Sequence, residues 1–126
     1  MKPRTILFLD DSEERITSFL KSIDTTKDIA TIARTAQDAI KALSYEPFDI
    51  VMLDHDLGGQ VFQSSDDENS GMAVVRWILK NKPVISMIVI HSWNPVASHH
   101  MAIDLSRAGY NVVRKAFGVD NLYLAE

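Results

Sequence analysis

The chain of 126 residues contains no cysteine, which excludes disulfides and thiolate metal sites and removes any need for an oxidising compartment. It also lacks a long hydrophobic run. The longest apolar stretch, Val84 to Ile90, is far too short to span a bilayer, and no signal-peptide pattern opens the sequence. Positive charge is not in excess: 13 basic against 17 acidic residues leave a formal net charge of −4. That balance offers no electrostatic footprint for duplex DNA or RNA, although a metal ion would let a nucleotide or RNA end bind locally. Internal repeats, linkers and low-complexity tracts are missing too. With 46% apolar residues, the expectation is one cytoplasmic domain over 1–126 that buries its own core.

Strands and helices alternate along the chain. Ile6–Leu9 reads as a strand buried on both faces. Ser12 can cap a helix with the stripe Ile16, Phe19, Leu20 and Ile23. Ile29–Ala33 is a modest second strand, and Thr35 to Asp38 resembles a capping box opening a helix that stops before Pro47. Phe48–Leu53 is the third strand. Gly71 to Lys80 carries Met72, Val75, Ile78 and Leu79 on one helical face. Pro83 ends that helix, and Val84–Ile90 is a β-branched fourth strand. Asn94 and Pro95 begin a helix that Gly109 closes, and Asn111–Arg114 is the fifth strand. This alternation predicts right-handed crossovers and a doubly wound five-stranded parallel sheet in the order 2-1-3-4-5.

Four acids fall where strands run out: Asp10 and Asp11 after the first, Asp54 and Asp56 after the third. In such a sheet the carboxyl ends of strands form the ligand-binding rim, with the first and third adjacent. Carboxylates crowded at a half-dry rim raise one another's pKa and call for a cation. Oxygen donors with room for water suit Mg²⁺. Any one of these acids can merely cap the next helix, but the set points to a metal site. The fourth strand brings His91 and Ser92 to the same crevice, and the fifth adds Lys115. Strand alternation leaves open whether His91 or Ser92 faces inward. The irregular stretch 58–70, with Gly58 and Gly59 as a hinge and the acidic run Asp66 to Glu68, reads as a solvated insertion rather than a lid.

Asp10, Asp11, Asp54, Ser92 and Lys115 resemble, in order, the signature positions of response-regulator receiver domains. That resemblance implies a flavodoxin-like fold and Mg²⁺ held by Asp10, Asp11, Asp54 and the backbone carbonyl of Asp56. Asp54 would accept a phosphoryl group from a histidine kinase, Ser92 would sense it and Lys115 would pair with it. Departures argue against ordinary signalling: Lys115 is followed by Ala116 instead of proline, and Val112 stands where an aromatic switch residue is expected. Trp93 follows the hydroxyl in place of a small residue. After Phe117 too few residues remain for a full last helix, which is expected to be shortened or missing.

The segments LDHDLG at 53–58, GMAVVRWI at 71–78 and HSWNPV at 91–96 are similar to cyclic-phosphate-processing receiver-like domains. That resemblance implies a rim that performs hydrolysis on a cyclic phosphate, as a small ligand or an RNA end. His55 and His91 can move protons near neutral pH, and Asn94 at a helix start can offer backbone donors to phosphate. Each histidine alone is as well explained by loop or strand-end packing. Of the two, His91 is the better proton carrier, and its removal is expected to leave Mg²⁺ affinity unchanged. His99 and His100 read as surface; Trp77 and Trp93 could stack a base, but core packing for the first and rim packing for the second are the preferred readings. A receiver phosphorylated on Asp54 and a non-catalytic binding module are the competing readings.

Overall fold

The computed structural model describes residues 2–58 and 63–115. Five strands alternate with four helices: β1 (Arg4–Leu9), α1 (Glu13–Ser22), β2 (Asp28–Ala33), α2 (Ala36–Tyr45), β3 (Ile50–Leu53), α3 (Gly71–Asn81), β4 (Met87–Ile90), α4 (Pro95–Arg107) and β5 (Val112–Arg114). All neighbours pair parallel in the order β2-β1-β3-β4-β5. This is the flavodoxin-like, doubly wound arrangement that the alternation predicted. The segment expected to hold a shortened last helix lies outside the described residues.

The pleat splits the strand residues between two cores. Leu7, Leu9, Val51, Leu53, Ile88 and Ile90 face a layer built from Ala39 and Leu43 of α2, Val75 and Ile78 of α3, and Met101 and Leu105 of α4. Ile6, Phe8, Ile50, Met52 and Val89 face the other way, against Ile16 and Phe19 of α1. Phe8 and Phe19 stack with ring centroids 4.1 Å apart. Burying each such aromatic stabilises the fold by roughly 1.5–3 kcal/mol, so this pair fixes α1 against β1 immediately behind the rim.

Helix starts follow local chemistry. Ser12, Thr35, Ser70 and Asn94 each accept the backbone N–H three residues on, satisfying a donor the helix cannot. Pro95 at the first helical position and the positive φ of Gly109 (99°) bound α4 as expected. The predicted third and fourth strands are too long at their starts. The N–H groups of Ser86 and Met87 both reach the Asp49 carbonyl, so regular pairing of β4 begins only at Met87, and Val84 stands 88% exposed. Leu20 is also largely exposed, leaving Ile16 and Phe19 as the seam of α1.

Candidate functional site

A single staircase of backbone hydrogen bonds sets the rim. The first residue beyond each of four strands donates its N–H to the last carbonyl of the strand beside it: Asp10 to Ala33 (3.0 Å), Asp54 to Leu9 (3.1 Å), His91 to Leu53 (3.0 Å) and Lys115 to Ile90 (2.8 Å). Four residues singled out from the sequence are therefore held side by side on rigid sheet.

Carboxylate oxygens of Asp10, Asp11 and Asp54 lie within 4.8 Å of one another. Asp10 and Asp54 are buried. Into this trio reaches a residue the sequence reading passed over. Arg15 donates from Nε to Asp10 at 2.7 Å, and its Nη2 lies 2.9 Å from the other Asp10 oxygen, 3.5 Å from Asp54 and 4.0 Å from Asp11. The signal was present as an i,i+4 spacing from Asp11 on the first turn of α1. The apolar periodicity of α1 carries no sign of it, because Arg15 lies off the buried stripe of Ile16 and Phe19.

One guanidinium among three carboxylates leaves the cluster short of positive charge. Burial and the charge of Asp10 push Asp54 up to about 8, with Arg15 offsetting only part. Burial also opposes ionisation of Asp10, but hydrogen bonds from His91 and Arg15 outweigh it and hold that carboxyl below its ordinary value. Its neighbours thus favour the ionised form at Asp10 and the protonated form at Asp54. The donor set fits Mg²⁺: oxygens only, close enough to share one ion, with a charge deficit at their centre. Asp10, Asp11 and Asp54 would hold the ion, with Arg15 as its competitor for the same oxygens.

The two histidines have different posts. The His91 ring is almost fully buried, stacked on Phe8 at 4.8 Å, with Nε2 3.2 Å from Asp10 Oδ2. Burial lowers its pKa, and Asp10 opposes the shift. It stands behind the Asp10 carboxylate rather than at the surface of the crevice. His55 is fully buried as well, with Nδ1 2.7 Å from Asp56 and Nε2 3.1 Å from Ser65. One residue beyond Asp54, strand alternation turns it from the trio into the loop, and both ring nitrogens are committed there.

The Asp56 carboxylate gathers that loop: it accepts from the Gln63 backbone N–H at 3.0 Å and from Asn94 Nδ2 at 3.2 Å. Gln63 in turn accepts from the Leu57 N–H and donates to the Asn69 carbonyl, while Asn69 accepts from the Ala36 N–H at the start of α2. Residues 63–70 are therefore strapped down, with Gln63 and Ser70 buried; of these eight, Ser64, Asp66 and Glu68 match the solvated expectation. The strap closes at Gly71, where a Cβ would lie 2.1 Å from the Asp54 carbonyl oxygen. Only glycine lets α3 begin this close to the end of β3.

Both Ser92 and His91 are buried, and their contacts separate them: His91 addresses Asp10, while Ser92 lines a cleft shared with Lys115. The Ser92 Oγ accepts the Asn94 N–H at 3.1 Å, and Asn94 Oδ1 accepts the Ala97 N–H. Pro95 has no N–H. The expected backbone donors of Asn94 are thus largely engaged within the turn, and Asn94 acts as a clamp between α4 and the Asp56 loop. His99 and His100 are on the surface, and Trp77 packs against the core, as expected. Trp93 departs from its expected rim packing and is 60% exposed.

The model of the family described as "Cyclic-phosphate processing Receiver domain" matches residues 5–107. No curated protein matches the chain significantly. Among solved structures, the signal receiver domain of a putative Luxo repressor from Vibrio parahaemolyticus superposes with a TM-score of 0.69 at 19% identity, covering 95% of this chain and 82% of that one. The receiver domain of a Pseudomonas aeruginosa sensor histidine kinase, with magnesium coordinated in its active-site cleft, gives 0.68 at 15% identity, covering 95% and 89%. The response regulator TrrA from Thermotoga maritima, in complex with Mg²⁺ and BeF, gives 0.61 at 27% identity, covering 94% and 92%. Among the described residues, no helix is long and apolar enough to cross a membrane.

Proposed function

This chain belongs to the cyclic-phosphate processing receiver domains, and from that premise we propose that its rim is a Mg²⁺-dependent phosphoesterase site that opens a cyclic phosphate on a nucleotide or RNA end. The observation that carries the reading is the trio Asp10, Asp11 and Asp54, with oxygens within 4.8 Å of one another on adjoining strand ends. The Asp56 carbonyl would complete the protein ligands. When bound, Mg²⁺ neutralises the charge that builds on the phosphoryl oxygens.

The remaining work falls to the chain. Lys115 and the Ser92 hydroxyl, one strand further along the rim, hold the phosphate. Asp54, ionised once the metal is bound, would take a proton from the attacking water, whose oxygen bonds to phosphorus as the P–O bond to one ester oxygen breaks and that oxygen takes up a proton from solvent. His91 is a positioning residue: its Nε2 keeps Asp10 ionised and aimed. His55 and Asn94 hold the loop and the α4 turn in place.

Turnover of a 2′,3′-cyclic nucleotide with Mg²⁺ tests the reading. His91→Ala should lower the rate roughly ten- to a hundredfold, the usual effect of losing a partner that orients a ligand carboxylate. Because His91 contacts a ligand carboxylate, Mg²⁺ affinity should fall too, by about tenfold or more, contrary to the expectation from sequence. An inactive wild type against cyclic nucleotides and RNA 2′,3′-cyclic ends would refute the proposal. The likeness to TrrA with Mg²⁺ and BeF, at 27% identity, favours a second reading in which Asp54 is phosphorylated by a kinase. A lasting adduct on Asp54 after incubation with acetyl phosphate would place that reading first.

A further inference from the structure

The exposed indole of Trp93 is not absorbed by the site described so far. It borders a cleft of about 390 Å³ whose lining includes Ile90, Ser92, Ser98, Arg114 and Lys115, a size that suits small ligands. The walls are the first turn of α4 and the end of β5, joined where Arg114 Nη2 lies 3.4 Å from the Pro95 carbonyl. At its base, Ser98 Oγ donates to the Ser92 carbonyl at 3.2 Å. Two cations, a buried hydroxyl and an aromatic face therefore meet within one concavity, on a chain whose overall charge is negative.

We infer that this cleft is a nucleobase subsite: Trp93 stacks on the base of a ligand whose phosphate is held by Ser92 and Lys115, with Arg114 over the sugar–phosphate edge. The inference rests on the proposed phosphate role of Ser92 and Lys115 and adds to that reading the place where the base of the nucleotide or RNA end is held. Two features select that ligand class. A solvated indole beside cations is the pairing that single-stranded nucleic acid uses, with aromatic stacking for the base and positive charge for the backbone. The cleft also opens beside the strand end neighbouring Asp54, so that one nucleotide can place its base at Trp93 and its phosphate at the rim.

The test is binding, read apart from turnover. In a Trp77→Phe protein, Trp93 is the remaining tryptophan and reports directly. Adenosine 3′-monophosphate should quench its emission, while ribose 5-phosphate and inorganic phosphate should not. By calorimetry, Trp93→Ala should weaken the nucleotide about tenfold or more and leave inorganic phosphate unchanged. Trp93→Phe should recover most of the loss, and Lys115→Ala should weaken both ligands. Comparing the mononucleotide with a short RNA bearing a 3′-phosphate separates the two sources of that chemistry. Nucleotide and inorganic phosphate binding equally, or Trp93→Ala binding as wild type, would overturn the subsite. Nucleotide binding without any hydrolysis would instead refute the phosphoesterase reading and leave the subsite standing.

Discussion

Replacing Asp54 by asparagine should make the metal-free protein more stable, although it removes the residue at the centre of the site. Asp54 is 4% exposed and its carboxyl is raised from 3.8 to about 8, by burial and then by the charge of Asp10. A carboxyl with a raised folded-state pKa contributes stability that is fully present below its unfolded pKa and is lost as pH rises through the folded one. Between these values the loss is about 1.4 kcal/mol per pH unit, so at pH 7 the cost of keeping Asp54 folded is on the order of 4 kcal/mol relative to a neutral side chain. Asparagine keeps the shape and abolishes the charge. Its benefit should be roughly 2–4 kcal/mol at pH 7, or several degrees in Tm for a domain of this size. Thermal unfolding in EDTA from pH 6 to pH 9 is the assay. Wild type should lose about 2–3 kcal/mol across that window, whereas Asp54→Asn should stay nearly flat. Adding Mg²⁺ should reverse the order by stabilising wild type alone. A flat wild-type profile, or an Asp54→Asn variant no more stable than wild type, would refute the charge-deficit account, and Mg²⁺ that leaves wild type unmoved would sink the metal reading.

Arg15→Met should lower stability without Mg²⁺ and tighten Mg²⁺ binding several-fold, because it deletes the ion's competitor; calorimetric titration with unchanged affinity would remove Arg15 from the site. Gly71→Ala forces a methyl to 2.1 Å from the Asp54 carbonyl oxygen, so denaturant unfolding should show a loss of roughly 3 kcal/mol or more. A fluoroberyllate mimic should cause little dimerisation, given Val112 and Ala116 at positions where signalling receivers differ, and a clear shift from monomer to dimer in light scattering would favour the signalling reading.

Much of this architecture is legible in one dimension because its causes are local or periodic. Ile6 to Leu9 reads as a doubly buried strand, Ser12, Thr35 and Asn94 read as caps, and the strand–helix alternation admits few topologies other than 2-1-3-4-5. That order alone brings Asp10, Asp11 and Asp54 together. Strand starts were less legible, since the doubled hydrogen bond to the Asp49 carbonyl that delays β4 is a contact between distant segments. The site was legible in its residue types but not in their roles. Whether His91 orients Asp10 or faces substrate depends on a pleat and a stack on Phe8, and whether His55 reaches the rim depends on how Asp56, Gln63 and Ser65 fold around it. The guanidinium of Arg15 enters the acid trio only because Phe19 seats α1 against Phe8. Sequence determined which acids meet at the rim. Tertiary structure decided which of them are dry, which are paired and which face a ligand, because burial and direction belong to packed surfaces and not to the order of residues.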